Sequence, residues 1–282
     1  MQMIRRWIQY AIVLLALSEM QAKEPCPHCV KAPADSKELE GMKISLISEN
    51  LTIQAGKPFR VAFKIEHKEG FHTYWKNPGI VGIPTKMNWD LPEGFTAGEV
   101  QWPYPELSKM AAYPCFGYER DVLLMMEVTP PTELNGDSVN LKGSGQWMCC
   151  SSACYPGYED FSLTLKVGEE KRCPLNAPLF EKAVSELPAK TEKLSAEMLN
   201  QADDQKIQLL IKSSDPELQV IRVYNEDGQT TPDISHGIKE ISTEEFLFIA
   251  ERSKYGPKSV EAFPFVVETN QGFYTLTSEY PE

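Results

Sequence analysis

Residues 42–168 consist of short β-like runs separated by glycine, proline and asparagine. Alternating, β-branched or aromatic residues recur at close spacing, and no long amphipathic helix interrupts them. This pattern predicts an antiparallel β-sandwich, because strands joined by short turns can bury one face of each sheet against the other. The predicted strands are 43–47, 59–65, 71–75, 86–91, 122–128, 139–141 and 161–167. Residues 111–120, by contrast, have the composition of a loop.

Residues 206–282 show the same pattern and predict a second, smaller β-domain without cysteine. Its predicted strands are 207–211, 218–224, 245–249, 263–267 and 273–276. Between the two domains, residues 169–205 are predicted as a linker. Within it, Leu179, Ala183 and Leu187 recur at helical spacing between prolines and predict one short helix. The predicted fold class is therefore all-β, a sandwich followed by a helical linker and a second β-domain.

Residues 1–22 have the features of a secretory signal peptide. Two arginines precede an apolar run at 7–17, and Ala22 provides a small residue at the cleavage position. Because Met20 is not small, an uncleaved anchor is the alternative. We expect cleavage, no lipid anchor on Cys26, and a mature periplasmic protein that does not span the membrane. We also expect no terminal thioredoxin-like module after the second β-domain.

Charge and cysteine content narrow the classes of function. The formal net charge is −12, which argues against nucleic acid as a partner because phosphate backbones attract basic surfaces. All seven cysteines follow the predicted signal, so they would lie in an oxidising compartment. Seven is an odd number, so at least one thiol is free or pairs with another chain.

Cys26 and Cys29 lie in a polar segment, residues 23–41, with the order Cys, Pro, His, Cys. The same four residues form a thioredoxin-type motif, but that motif needs a helix N-terminus after a strand, which this segment lacks. We expect a simple local disulfide here, although the pair is also a candidate second redox pair on a flexible tail. A metal-binding tail is a further alternative.

Three further cysteines, Cys149, Cys150 and Cys154, lie between two predicted strands. Cys149 and Cys150 are neighbours about 3.8 Å apart that point to opposite faces of a strand, which disfavours a bond between them. Cys149 shares its face with Trp147, so we expect Cys149 in the core and Cys150 pointing outward. Cys150 and Cys154 would lie about 13 Å apart if extended, so a fold-back must precede their pairing.

A Cys150–Cys154 bond would close a very short loop. In the chain-entropy model such a loop stabilises the fold by only ~2 kcal/mol, against nearly 4 for a loop of several dozen residues. This small gain favours exchange chemistry, with a structural bridge as the alternative.

The hairpin resembles the active site of the N-terminal periplasmic domain of DsbD, the thiol:disulfide interchange protein, and is most similar to the ScsB-like branch. The pattern is Cys150, three residues, Cys154, one residue, then Pro156 and Gly157, followed by the strand 161–165. Three other stretches fit the same family: 71–79, 101–106 and 116–119. The resemblance covers residues 42–187 well and implies an immunoglobulin-like fold.

The resemblance also implies roles for individual residues. His72 and Tyr74 match positions that flank the cysteine pair, and Phe116 matches an aromatic residue that rests on the disulfide as part of a cap loop. Cys115 departs from the family pattern, and a third thiol there could attack or trap the disulfide. Cys154 matches the cysteine that bonds to the partner.

The leading hypothesis is a periplasmic thiol:disulfide exchange protein that needs no cofactor and no metal. Its expected partners are thioredoxin-like periplasmic proteins and a membrane electron donor of the DsbD or CcdA type. A copper- or zinc-binding protein is a second hypothesis, because soft ligands are available from Cys115, Met148, Cys149, Cys150, Cys154 and His72. A binding module with purely structural disulfides is a third.

Overall fold

The computed structural model describes residue 32 and residues 34–281 of the 282-residue chain. The predicted signal peptide, Cys26 and Cys29 therefore lie outside the described residues. The first β-unit contains β1 (Ala34–Glu38), β2 (Met42–Ser48), β3 (Asn50–Ile53), β4 (Phe59–His67), β5 (Thr73–Tyr74), β6 (Lys86–Asp90), β7 (Thr96–Ala97), β8 (Glu106–Met110), β9 (Tyr113–Tyr118), β10 (Val122–Thr129), β11 (Ser138–Cys150), β12 (Cys154–Val167) and β13 (Lys171–Arg172).

The rest of the chain adds one helix and a second β-unit. The helix is α1 (Ala177–Ser185), and the strands are β14 (Leu194–Met198), β15 (Lys206–Ser213), β16 (Val220–Asn225), β17 (His236–Ser242), β18 (Glu245–Glu251), β19 (Ala262–Thr269) and β20 (Gly272–Glu279). No helix in the described part of the chain is long and apolar enough to cross a membrane.

Two five-stranded sheets pack face to face in the first β-unit. Their strand orders are β1-β2-β4-β10-β7 and β13-β3-β12-β11-β6. Alternate residues of β12 are buried, Phe161, Leu163 and Leu165, and they meet Phe63 and Trp147 in the core between the sheets. This is the β-sandwich that the strand pattern predicts, with the immunoglobulin-like fold that the family resemblance implies.

The strand pair β8 and β9 forms a hairpin with β5 at its side, and we call β8 and β9 the cap hairpin. Its register pairs Met110 with Tyr113 across a two-residue turn, in which Ala111 has a φ of 53°. The prediction of a loop over residues 111–120 is therefore wrong for Tyr113–Tyr118, which form β9. Proline, glycine and charged residues gave the segment a loop composition, while pairing with β5 and β8 supplies the hydrogen bonds of a strand.

The predicted short helix is confirmed as α1. A proline occupies its first turn, where a missing N–H costs nothing. Phe180 and Ala183 are buried against Ala62 and Met125, so the helix covers the outer face of the first sheet.

The second β-unit consists of the sheets β14-β15-β18-β17 and β16-β19-β20. Its core contains Leu209, Ile211, Phe248, Phe263 and Phe265. The strands β14 and β17 have no counterpart among the predicted strands. β14 lies within the segment predicted as a linker and pairs with β15 over its whole length.

The two β-units share an aromatic contact that lies near the cysteine hairpin. Tyr224 of β16 belongs to the core of the first unit, with its ring centroid 4.9 Å from Phe116 and 6.3 Å from Trp75. Asn77 donates from its side-chain amide to the backbone oxygens of Asn225 and Thr230, at 2.8 and 3.2 Å. The second unit therefore supports the elements that surround the site.

Candidate functional site

Cys150 and Cys154 end and begin the two strands of one hairpin. They are the last register pair between β11 and β12, joined by the turn at 151–153. Within the turn, the N–H of Ser151 donates to the carbonyl of Ala153 at 2.9 Å. Directly opposed residues of an antiparallel pair have Cα atoms about 4.5–5.5 Å apart, which falls within the disulfide range. The fold-back that pairing requires is therefore present, and both sulfurs are thiols in this structure.

The two thiols differ in exposure. Cys154 is exposed, whereas Cys150 has 0% of its surface accessible. The prediction that Cys150 points outward is wrong, although it does lie on the face opposite Cys149. Tyr74 of β5 and Cys115 of β9 pack on that face. The backbone N–H and C=O of Cys150 also exchange hydrogen bonds with those of His72, both at 2.9 Å.

Cys149 behaves as the sequence predicts. It is 1% exposed and belongs to the sandwich core together with Trp147. Burial raises the pKa of its thiol to about 11, so the neutral form prevails at neutral pH. A neutral buried thiol is a poor nucleophile.

Tyr74 and Cys150 are in contact inside the protein. With Cys115 they form a small buried cluster, the site cluster, against which Met110 and Met148 pack. The Tyr74 side chain packs against Cys150, and its hydroxyl lies 3.2 Å from Nε2 of His72. Burial, followed by the interaction of the Cys150 thiol with the Cys154 sulfur, raises the pKa of Cys150 well above its ordinary value, while the neighbouring Tyr74 hydroxyl lowers it.

His72 and Tyr74 therefore flank the cysteine pair, in the positions that the family resemblance implies. Their ring centroids are 5.1 Å apart in an edge-to-face arrangement, and His72 is 3% exposed. Burial lowers the pKa of His72, and the Coulomb attraction of Glu119 opposes that shift. Burial likewise raises the pKa of Tyr74 far above its ordinary value.

The side chain that reaches the exposed thiol comes from the tip of the cap hairpin. Met110 places its Sδ 3.9 Å from Sγ of Cys154. Sequence reasoning missed this residue, because nothing in the spacing of 106–113 marks a hairpin. The alternation of Ser108 and Met110 on one face of β8 was the available signal.

Phe116 does not lie on the cysteine pair, which corrects the role that the resemblance gave it. Its ring lies 6.2 Å from Trp75 and 4.9 Å from Tyr224, in the core. Strand alternation explains this placement, because consecutive residues of β9 point to opposite faces. Cys115 consequently points to the site cluster while Phe116 points away from it.

Cys115 is fully buried beside Tyr74. Its burial raises the pKa of the thiol to about 11, partly offset by hydrogen bonds with Ser108 and the backbone of Met110. Ser108 in turn donates to a carboxylate oxygen of Glu119 at 2.6 Å. Cys173 is also buried, but it lies before α1, where its backbone N–H donates to the carbonyl of Glu49.

Among the residues that the structure describes, no three His, Cys, Asp or Glu side chains form a group that could hold a metal ion. What the site offers instead is an exposed thiol opposite a buried one, with a phenol and an imidazole behind the buried sulfur. Such a pair can form a bond to an outside sulfur and then resolve it.

The family comparison agrees with this geometry. Residues 47–166 match the family described as thiol:disulfide interchange protein DsbD, N-terminal. The resemblance stated from the motifs is thereby confirmed, and the match supports a thiol:disulfide interchange domain over these residues. No curated protein sequence matches the chain.

One solved structure shows the fold over most of the chain. The N-terminal periplasmic domain of ScsB from Proteus mirabilis is similar with a TM-score of 0.62 and 15% sequence identity, covering 89% of this chain and 100% of that one. The conserved domain protein from Bacillus anthracis gives a TM-score of 0.28 at 10% identity, with 88% of each chain covered.

Proposed function

We propose that the protein is a periplasmic thiol:disulfide exchange protein that works through Cys150 and Cys154. The observation that carries this proposal is the unequal exposure of two directly opposed cysteines. Exchange needs one sulfur that an outside partner can reach and a second sulfur held nearby to resolve the mixed disulfide. Cys154 meets the first requirement and Cys150 meets the second.

In the reducing direction, the thiolate of Cys154 attacks one sulfur of an oxidised partner. A mixed disulfide forms between them, and the partner's other sulfur leaves as a thiolate. Cys150 then attacks the Cys154 sulfur, which forms the Cys150–Cys154 bond and releases the partner as a dithiol. Two electrons pass from the hairpin to the partner, and no cofactor takes part.

Thioredoxin-like periplasmic proteins are the proposed partners, and a membrane protein of the DsbD or CcdA type is the proposed electron donor. The family match and the ScsB fold support this assignment. The exposed Tyr155 and Tyr113 lie beside Cys154 and at the tip of the cap hairpin, and they offer apolar surface to a docking protein.

Met110 is the proposed cap over the reactive sulfur, in place of Phe116. A thioether contact at 3.9 Å shields the Cys154 sulfur from small thiols in solution, because an attacking thiol must approach along the S–S axis. A docking partner would displace this one flexible side chain.

A redox titration of the whole chain, with every cysteine mapped by mass spectrometry, tests the proposal. The Cys150–Cys154 bond should form and break reversibly between about −270 and −120 mV, the range of thioredoxin-like exchange proteins. A Cys26→Ser/Cys29→Ser variant serves as the control, since it removes the other candidate pair.

A bond that stays oxidised below about −300 mV would mark a structural disulfide and contradict the proposal. Metal analysis of the same reduced sample tests the copper or zinc hypothesis. Stoichiometric metal that disappears in a Cys150→Ser/Cys154→Ser variant would favour metal binding over exchange.

A further inference from the structure

The resolving thiol has no direct path to bulk water. Cys150 is fully buried, and its pKa is raised, so at neutral pH the sulfur carries a proton. Only a deprotonated sulfur can attack the mixed disulfide on Cys154. The resolving step therefore needs a buried group that accepts this proton.

Two polar side chains lie beside the buried Cys150 thiol. The Tyr74 hydroxyl belongs to a side chain packed against Cys150 in the site cluster, and the same hydroxyl lies 3.2 Å from Nε2 of His72. Neither residue exposes more than 3% of its surface. A paired backbone bridge joins His72 to Cys150, so the backbone holds the imidazole, the phenol of Tyr74 and the thiol in one buried group.

We propose that Tyr74 and His72 form a proton relay for Cys150. As the Cys150 sulfur bonds to the Cys154 sulfur, the bond between Cys154 and the partner breaks, and the partner leaves as a thiolate. The Cys150 proton passes to the Tyr74 oxygen while the Tyr74 proton passes to Nε2 of His72. The imidazolium then returns its proton to the departing thiolate or to solvent, so protons and electrons balance. This inference rests on the proposed exchange function.

The surroundings of His72 allow its imidazole to accept a proton. The titratable groups that face it are Tyr74 on β5, Cys150 on β11, Glu119 after β9 and His67 at the end of β4. Burial lowers the pKa of His72 more than Glu119 raises it, so the ring is neutral near neutral pH. With its proton on Nδ1, the ring presents Nε2 as an acceptor to the phenol.

A two-step chromogenic assay isolates the resolving step. Reduced protein with Cys26→Ser and Cys29→Ser is mixed with one equivalent of a symmetric aromatic disulfide that releases a coloured thiolate. Attack by Cys154 releases the first equivalent, and attack by Cys150 on the resulting mixed disulfide releases the second as a first-order phase. The rates of both phases are measured against pH.

Tyr74→Phe and His72→Gln should leave the first phase unchanged and slow the second by at least about tenfold near neutral pH. In the unsubstituted protein the second rate should level off once His72 is neutral. In both variants it should instead keep rising with hydroxide concentration, because hydroxide replaces the relay.

Tyr118→Phe is the matched control, since it removes another fully buried tyrosine hydroxyl, which donates to the carbonyl of Pro103 at 2.8 Å. Its second phase should match that of the unsubstituted protein. Unchanged second phases in Tyr74→Phe or His72→Gln, or equal slowing in Tyr118→Phe, would overturn the relay. Release of only one equivalent by the unsubstituted protein would instead contradict the exchange function, because Cys150 would not resolve the bond.

Discussion

The three cysteines of the hairpin lie in three different environments. Cys149 lies in the sandwich core, Cys150 lies under the cap hairpin, and Cys154 is exposed at the turn. The reactivity of a cysteine depends on its thiolate fraction and on its exposure to an attacking partner. The three sulfurs should therefore differ in role. In the proposed exchange, Cys149 contributes packing, Cys150 resolves the mixed disulfide, and Cys154 meets the partner.

Cys149→Val should keep exchange activity. Valine has a similar volume and no polar atom, so the free energy of unfolding should change by less than about 1.5 kcal/mol. Alkylation of the reduced, folded protein should also leave Cys149 unmodified while Cys154 reacts. Exchange activity that falls with Cys149→Val, at unchanged stability, would place Cys149 in the mechanism.

Met110→Ala should uncover the reactive sulfur. We expect reduction of the Cys150–Cys154 bond by a small thiol to accelerate by about threefold to tenfold, because approach to Cys154 becomes easier. Leu107→Ala is the matched control, since Leu107 lies on the same strand, 46% exposed and paired with Phe116 on the other face. Equal rates in Met110→Ala and the unsubstituted protein would remove Met110 from the cap.

At the scale of elements, the cap hairpin makes buried contacts on both of its faces. Met110 and Cys115 point to the site cluster, while Phe116 packs against Trp75 and Tyr224. A hairpin held on its far side by a buried aromatic side chain stays fixed over the site. Its position therefore depends on core packing as much as on contacts with the cysteines.

Phe116→Ala should destabilise the protein. A phenylalanine that is 4% exposed is part of the core, and its removal costs about 3–5 kcal/mol of unfolding free energy. The cap role implied by the family resemblance would instead give faster reaction with small thiols and little loss of stability. Denaturant unfolding and the reduction rate, measured together, separate these two outcomes.

The sequence was informative where strand alternation is regular. The flanks of the cysteines form β11 and β12, and Trp147 and Cys149 share the core face, as alternation predicts. The sequence did not predict the burial of Cys150, because the segments that cover this residue are distant from it in the sequence. Alternation places Cys150 opposite Cys149, but only the tertiary fold brings β5 and the cap hairpin over that face. Met110 was missed for the same reason, because hairpin pairing outweighed the loop composition of the segment.

At the scale of the whole molecule, the two β-units share a core. Tyr224 is 2% exposed and contacts Trp75, Phe116 and Phe273, while Lys76 pairs with Glu226 at 2.7 Å. A shared aromatic core should couple the unfolding of the two units. The second unit thus holds the site in place without supplying a cysteine to it.

Unfolding measured by two probes tests this coupling. Every tryptophan from Trp75 onward lies in the first unit, so tryptophan fluorescence reports that unit, whereas far-ultraviolet circular dichroism reports both. The two denaturant transitions should coincide, and Tyr224→Ala should separate them. Tyr255→Ala, at an 86% exposed position of the second unit, is the control. Separate transitions in the unsubstituted protein would contradict the coupling.

Trapping of mixed disulfides tests the central claim most directly. Cys150→Ser removes the resolving thiol, so Cys154 should accumulate mixed disulfides with periplasmic thioredoxin-like proteins. Cys154→Ser leaves only the buried thiol and should accumulate few. Non-reducing gels of both variants, with each trapped species identified by mass, give the comparison. Equal trapping by both variants, or trapping only through Cys115 or Cys26, would contradict the assignment.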